Sequence, residues 1–180
     1  MYFRNYDEEA KLLGYKDKEE MFLYYDVCGL DSVPAKTIDD LLLSTEQETL
    51  GRTKEEFIEY MEENNLVDLF NKVKNLPLLE RLIELYNYSY NGHLLANSTM
   101  NFLKVKLNDS YEMSDGEKQI EYEERLKNVY YILQNYKLRM DDVKRSAAFR
   151  LDYNEKEMFF NHVESLINQE EEINKNKGYH

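Results

Sequence analysis

The most constraining feature of this chain is the stretch from Ser114 to Arg150, which contains no proline and no glycine after Gly116. Its apolar residues alternate at spacings of four and three, a heptad pattern that places them on one face of an α-helix. These seam residues are Tyr122, Leu126, Val129, Leu133, Tyr136, Met140, Val143 and Ala147. The pattern predicts one helix over residues 115–150, about 50 Å long, whose seam must pack on another helix.

The end of the chain offers a partner for this seam. Asp152 followed by Glu155 is a helix-capping pattern, and it predicts a last helix over residues 153–175. Its apolar residues at helical spacing are Phe159, Val163, Leu166 and Ile173. Because the connection between the two helices is short, we expect them to form a long antiparallel hairpin. The alternative is a homodimer in which the long helix pairs with a second chain.

Shorter helices are predicted in the first part of the chain. Asp17 and Thr53 each precede a glutamate by three residues, the spacing of a capping box. The helix that begins after Asp17 should end near Cys28, and the helix that begins after Thr53 should end near Asn64. Further helices are expected at residues 8–13, 38–49 and 66–74.

The middle of the chain is expected to be helical as well. Pro77 fits the first position of a helix, which we expect to end at Gly92. The apolar residues of the segment 93–106 keep helical spacing. Apolar and polar residues alternate over residues 102–107, however, so a short strand there is an alternative.

Two prolines and six glycines in 180 residues leave room for helices rather than for a many-stranded sheet. The predicted fold is therefore all-α, an irregular bundle of about seven or eight helices with a long C-terminal antiparallel helical hairpin. A soft boundary near Pro77 separates an acidic lobe of short helices, residues 1–76, from a helical bundle lobe, residues 77–180. The two lobes together could also form one domain.

Charge and cysteine content exclude several classes of protein. The net charge is −13, which argues against direct binding to nucleic acid or to anionic lipid and favours a basic protein partner. Cys28 is the only cysteine, so a disulfide within the chain is excluded. No apolar run approaches the roughly 20 residues that span a membrane. We expect a protein of the bacterial cytoplasm.

The sequence contains no recognisable catalytic motif. It has no glycine-rich phosphate-binding loop and no His-Glu-x-x-His pair. Cys28 is expected near the C-terminal end of a helix, where the helix dipole disfavours a thiolate. We therefore predict that the protein is not an enzyme and has no catalytic residue, cofactor or metal.

The strongest candidate for a binding site is an acidic block. Residues 37–68 contain ten acidic residues, with only Arg52 and Lys54 as bases. Four glutamates at spacings of three and four share one side of the helix after Thr53 and repel one another. The predicted partner-binding residues are Glu55, Glu56, Glu59, Glu62, Glu63 and Asp68. The alternative interpretation is a solvated helix face without a partner.

A smaller basic patch lies on the long helix. Its predicted members are Lys137, Arg139, Lys144 and Arg145. These cations either balance a neighbouring acidic helix or contact RNA or an acidic partner.

In its size, negative charge and lack of catalytic motifs, the chain resembles small acidic proteins of phages and mobile elements that block host defence nucleases. Anti-CRISPR and anti-restriction proteins, some of them DNA mimics, form this class. The resemblance implies a non-enzymatic inhibitor that binds a basic, nucleic-acid-binding surface of a nuclease. The alternative is a helical regulatory, adaptor or antitoxin-like protein that oligomerises through residues 119–150.

Overall fold

The protein is described by a computed structural model that covers residues 5–28, 52–111 and 116–177. Of these residues, 88% are helical and none is in a strand, so the all-α prediction is confirmed. The seven helices in these ranges are α1 (Tyr6–Leu12), α2 (Lys18–Cys28), α3 (Lys54–Glu63), α4 (Val67–Val73), α5 (Leu78–Tyr111), α6 (Gly116–Arg150) and α7 (Tyr153–Lys177).

The capping patterns located the short helices correctly. The backbone N–H of Glu20 donates to Asp17 Oδ1 at 2.9 Å, and α1 to α4 begin and end within about two residues of the predicted positions. The predicted helix over residues 38–49 lies outside the described residues, as does Ser114, with which the predicted long helix opens.

The middle of the chain differs from its prediction. The helix after Pro77 does not end at Gly92 but continues as α5 to Tyr111. The short strand over residues 102–107 was also wrong. The apparent alternation arises because apolar side chains lie on two sides of α5, with Leu103 buried and Phe102 and Val105 largely exposed.

The two C-terminal helices match their predictions closely. α6 spans Gly116–Arg150 and α7 spans Tyr153–Lys177. The backbone N–H of Glu155 donates to Asp152 Oδ1 at 2.9 Å, which confirms the predicted cap.

The chain divides into two compact units. Unit 1 consists of residues 1–85 and 145–180, and unit 2 consists of residues 86–144. The lobes expected at residues 1–76 and 77–180 stay a prediction, because compactness does not show which segments fold independently.

Aromatic side chains of α2 organise unit 1. Three ring pairs connect α2 to α1, α3 and α4, with centroids 4.8 to 5.1 Å apart. These pairs are Tyr6–Phe22, Tyr25–Phe57 and Tyr24–Phe70. Such pairs add packing energy to the area they bury. Tyr24 and Tyr25 are both buried and therefore belong to the core of this unit.

Unit 2 is an antiparallel hairpin of α5 and α6, which pack closely. Tyr86 contacts Lys144, and Tyr88 contacts Arg139. Residue numbers therefore increase along α5 in the direction in which they decrease along α6, which makes the two helices antiparallel. The predicted seam of α6 is its covered face, since Leu133 is only 9% exposed whereas Tyr131 is 66% exposed.

The seam of α6 also contacts α5, a partner that its spacing alone did not predict. In unit 2 the seam residue Tyr136 lies against Tyr88 and Gly92 of α5, whereas the last helix is assigned to unit 1. This contact is possible because α5 runs unbroken past Gly92 to Tyr111. A dimer through the same seam would require this hairpin to open.

Candidate protein-binding surface

A capping box fixes the start of α3. The backbone N–H of Glu56 donates to Thr53 Oγ1 at 3.2 Å, and the Thr53 hydroxyl donates to Glu56 Oε1 at 3.2 Å. These bonds satisfy helix-start donors that would otherwise lack a partner. Glu56, one of the predicted binding residues, therefore also has a structural role.

Two apolar side chains fix the orientation of α3. Phe57 is 1% exposed and Met61 is 4% exposed, and the Phe57 ring meets Tyr25 edge to face at 5.1 Å. Because these side chains anchor one side of the helix, the opposite side is held towards solvent.

The glutamates of α3 occupy that solvent side. The four that were predicted to share one side are all exposed: Glu55, Glu59, Glu62 and Glu63. The Cβ atoms of residues three or four positions apart on a helix are about 5–6 Å from each other, so these glutamates are neighbours. We call these four residues the acidic face. Asp68, the sixth predicted residue, is exposed in the first turn of α4.

The nearest cations along the chain have other partners. Lys54 Nζ lies 2.8 Å from Glu20 Oε1, and this hydrogen bond raises the pKa of Lys54. The Arg52 guanidinium lies 5.7 Å from the centroid of the Tyr60 ring. Among the described residues, no lysine or arginine forms a salt bridge with the acidic face.

The predicted basic patch is not a uniform surface. Arg139 is 9% exposed, with its guanidinium 5.9 Å from the centroid of the Tyr88 ring. Lys144 is half-buried and lies 5.9 Å from the centroid of the Tyr86 ring. Lys137 and Arg145 are exposed. Two of the four cations therefore pack on aromatic rings of α5 within the same chain.

A buried charge cluster was missed at the level of sequence. Asp26 of α2 accepts hydrogen bonds from Arg81 at 2.8 and 3.0 Å and from Arg150 at 2.5 Å. The side chains of Asp26, Arg81 and Arg150 are 4%, 11% and 14% exposed. The available signal was Asp26 itself, an acid in the last turn of a helix, where the helix dipole disfavours a negative charge.

Arg150 has further contacts that fit a structural role for this cluster. Its guanidinium lies 4.8 Å from the centroid of the Phe22 ring, and Nη1 also donates to Ser146 Oγ at 3.2 Å. The cluster thus connects α2 to the beginning of α5 and to the end of α6, all within unit 1.

Two tyrosine hydroxyl groups have raised pKa values. The Tyr15 hydroxyl donates to the carbonyl oxygen of Arg52 at 2.9 Å, and burial raises the pKa of Tyr15. Burial and a hydrogen bond with Tyr136 raise the pKa of Tyr88. In the part of the chain that the structure describes, no three His, Cys, Asp or Glu residues are grouped to hold a metal ion.

Comparisons with protein families, with curated proteins and with solved structures give no match for this chain. None of the described helices combines the length and the apolar composition needed to span a lipid bilayer.

Proposed function

We propose that the protein is a non-enzymatic inhibitor whose acidic face binds the basic, nucleic-acid-binding surface of a host defence nuclease. The observation that carries the proposal is the acidic face itself, four exposed carboxylates on a helix anchored from behind by Phe57 and Met61. A solvated helix face ordinarily mixes charges of both signs, and this one does not.

Electrostatics explain how such a face selects its partner. Like charges on one helix face cost a few tenths of a kcal/mol per pair, a cost that a cationic partner relieves. A surface that binds DNA is lined with lysine and arginine, and it attracts a row of fixed carboxylates in the same way. The protein would thus act as a mimic of the nucleic acid and occupy the site where it binds.

The origin and location follow from this function. An inhibitor of a bacterial defence nuclease is encoded by a phage or another mobile element and acts in the host cytoplasm. The proposed targets are nucleases of CRISPR or restriction systems, which bind DNA through such basic surfaces.

The test is inhibition of DNA cleavage by purified CRISPR-associated and restriction nucleases. We expect the protein to bind one of them in a salt-sensitive manner, because exposed charges act over only about 8 Å at physiological salt. Replacing Glu55, Glu59, Glu62 and Glu63 with Gln should slow association more than it speeds dissociation.

A matched variant controls for net charge. Glu124, Glu164, Glu171 and Glu172 are exposed glutamates on α6 and α7, and replacing them with Gln changes the total charge by the same amount. If both quadruple variants associate equally fast, the acidic face is a solvated surface. If the protein binds a nuclease without reducing cleavage, it is not an inhibitor of that enzyme.

A further inference from the structure

One segment of α5 differs in charge from the rest of the chain. Residues 85–103 contain no Asp, Glu, Lys or Arg, although charged residues make up 33% of the sequence and the net charge is −13. Depletion of charge is a feature of the cores of protein interfaces.

Part of this uncharged segment is apolar and exposed. Leu95 is 70% exposed, Phe102 is 60% exposed and Val105, just beyond the segment, is 59% exposed. Spacings of seven and three place them in one stripe along α5. Exposed Ser98 and Thr99 lie between Leu95 and Phe102. We call these five residues the α5 outer face.

One of the two hydroxyl groups at the middle of this face, that of Thr99, already has a hydrogen-bond partner. The Thr99 hydroxyl donates to the backbone oxygen of Leu95 at 2.9 Å, so it keeps a hydrogen bond if water is removed. At one end of the face, Lys106 Nζ lies 5.7 Å from the centroid of the Phe102 ring. The α5 outer face can therefore be covered without leaving the Thr99 hydroxyl proton unpaired.

Charge decides which partner suits this face. A basic partner would find no carboxylate here, unlike at the acidic face. Two copies of a chain with a net charge of −13 repel each other, and a face without carboxylates is where they can meet without negative charges in contact. The α5 outer face is electrostatically suited to a second copy of this chain.

The spacing of the side chains also suits a two-fold interface, in which the same patch on both copies must be self-complementary. If two α5 helices cross antiparallel near Ser98 and Thr99, Leu95 of each copy meets Phe102 of the other. The small side chains then lie at the crossing point, where helices approach most closely.

We propose that the protein forms a two-fold dimer through the α5 outer face, with the two α5 helices crossing near Ser98 and Thr99. This interface is independent of the acidic face and goes beyond the proposed function. It leaves the seam between α5 and α6 closed.

The first test is the oligomeric state measured by sedimentation over a range of concentrations. We expect a dimer for the parent chain. For Leu95→Glu and Phe102→Glu we expect association at least about tenfold weaker, with unchanged circular dichroism, because each substitution places two charges in the interface. The matched control is Leu12→Glu, since Leu12 is 75% exposed on α1.

A second test locates the crossing point. Disulfides require Cβ atoms about 3.5–4.5 Å apart, so Ser98→Cys should form a dimer on mild oxidation, whereas Asn91→Cys, two helical turns away, should not. The native Cys28 is only 1% exposed and does not interfere.

Several results would overturn the proposal. One is a parent chain that stays monomeric at the highest soluble concentration. Another is a dimer that Leu12→Glu dissociates and Phe102→Glu does not. A third is loss of nuclease binding, without any dimer, when Phe102 is changed, which would assign the α5 outer face to the target.

Discussion

The ring of Tyr136 lies against the backbone of α5 at Gly92, where an added Cβ atom would stand 2.3 Å from the ring carbons Cε1 and Cζ. Gly92 is thus not a helix terminator. At this position the two helices of unit 2 lie too close together to leave room for a side chain, so Gly92 belongs to the packing of the hairpin.

This contact predicts the sign of the effect of Gly92→Ala. In an unconstrained helix, alanine would raise the free energy of unfolding by about 1 kcal/mol. Here we expect a decrease of about 1–3 kcal/mol in urea denaturation, because the ring must move. Gly116→Ala, where nothing lies within 4 Å, is the control. In a Tyr136→Ala background, Gly92→Ala should become stabilising, and a loss there would refute the explanation.

The Asp26 cluster predicts a large loss of stability on Asp26→Asn. The substitution leaves two largely buried guanidinium groups without their counter-charge, which costs about 3–5 kcal/mol. The exposed pair of Glu121 and Arg125 provides the comparison, since both side chains are more than half exposed. Glu121→Gln should cost less than about 0.5 kcal/mol. Similar losses in thermal or urea unfolding would show that burial of the cluster is unimportant.

Two buried or half-buried serines in helices predict opposite effects of the same substitution. Ser89 is fully buried, and its hydroxyl has no hydrogen-bond partner among the described residues. Ser89→Ala should therefore raise the free energy of unfolding by about 1 kcal/mol. Ser146 accepts a hydrogen bond from Arg150, so Ser146→Ala should lower it by about 1 kcal/mol. Clear destabilisation by Ser89→Ala would reveal a partner for that hydroxyl.

Burial of Tyr15 predicts a pH-dependent effect of Tyr15→Phe. At neutral pH the loss of the hydrogen bond to Arg52 should cost about 1 kcal/mol. Burial raises the pKa of Tyr15 above its ordinary value of 10.0, so above pH 10 the unfolded chain releases a proton that the folded chain keeps. Stability of the parent chain then falls as the pH rises, and by about pH 11 the difference from Tyr15→Phe should nearly vanish.

The control for this measurement is Tyr131→Phe on the exposed face of α6, where Tyr131 is 66% exposed. We expect it to change the free energy of unfolding by less than about 0.5 kcal/mol at either pH. If the Tyr15→Phe difference is the same at neutral and alkaline pH, Tyr15 is not protected from ionisation in the folded chain.

The features predicted correctly from sequence are those that depend on neighbouring residues. The caps at Asp17, Thr53 and Asp152 satisfy backbone groups three residues away, so their signal is contained in a few letters. The heptad seam of α6 is equally local, because its spacing follows from helix geometry alone.

The features predicted wrongly, or missed, depend on distant residues. Gly92 looked like a helix end because its role is set by Tyr136 on another helix. Asp26 binds two arginines that lie 55 and 124 positions away in the sequence. The residues next to Asp26 in the sequence therefore give no indication of its partners. The acidic face lies between these cases, since local spacing predicted its four glutamates but not the pairing of Lys54 with Glu20.

The Asp26 cluster also has a consequence for synthesis on the ribosome, because its members are far apart in the chain. Unit 2 is complete at residue 144, and its helices are consecutive in the chain, so the hairpin can close early. Asp26 must wait for Arg150, 124 residues later. The N-terminal helices therefore emerge first, but Asp26 obtains both of its arginine partners only after the residues of unit 2 have been synthesised.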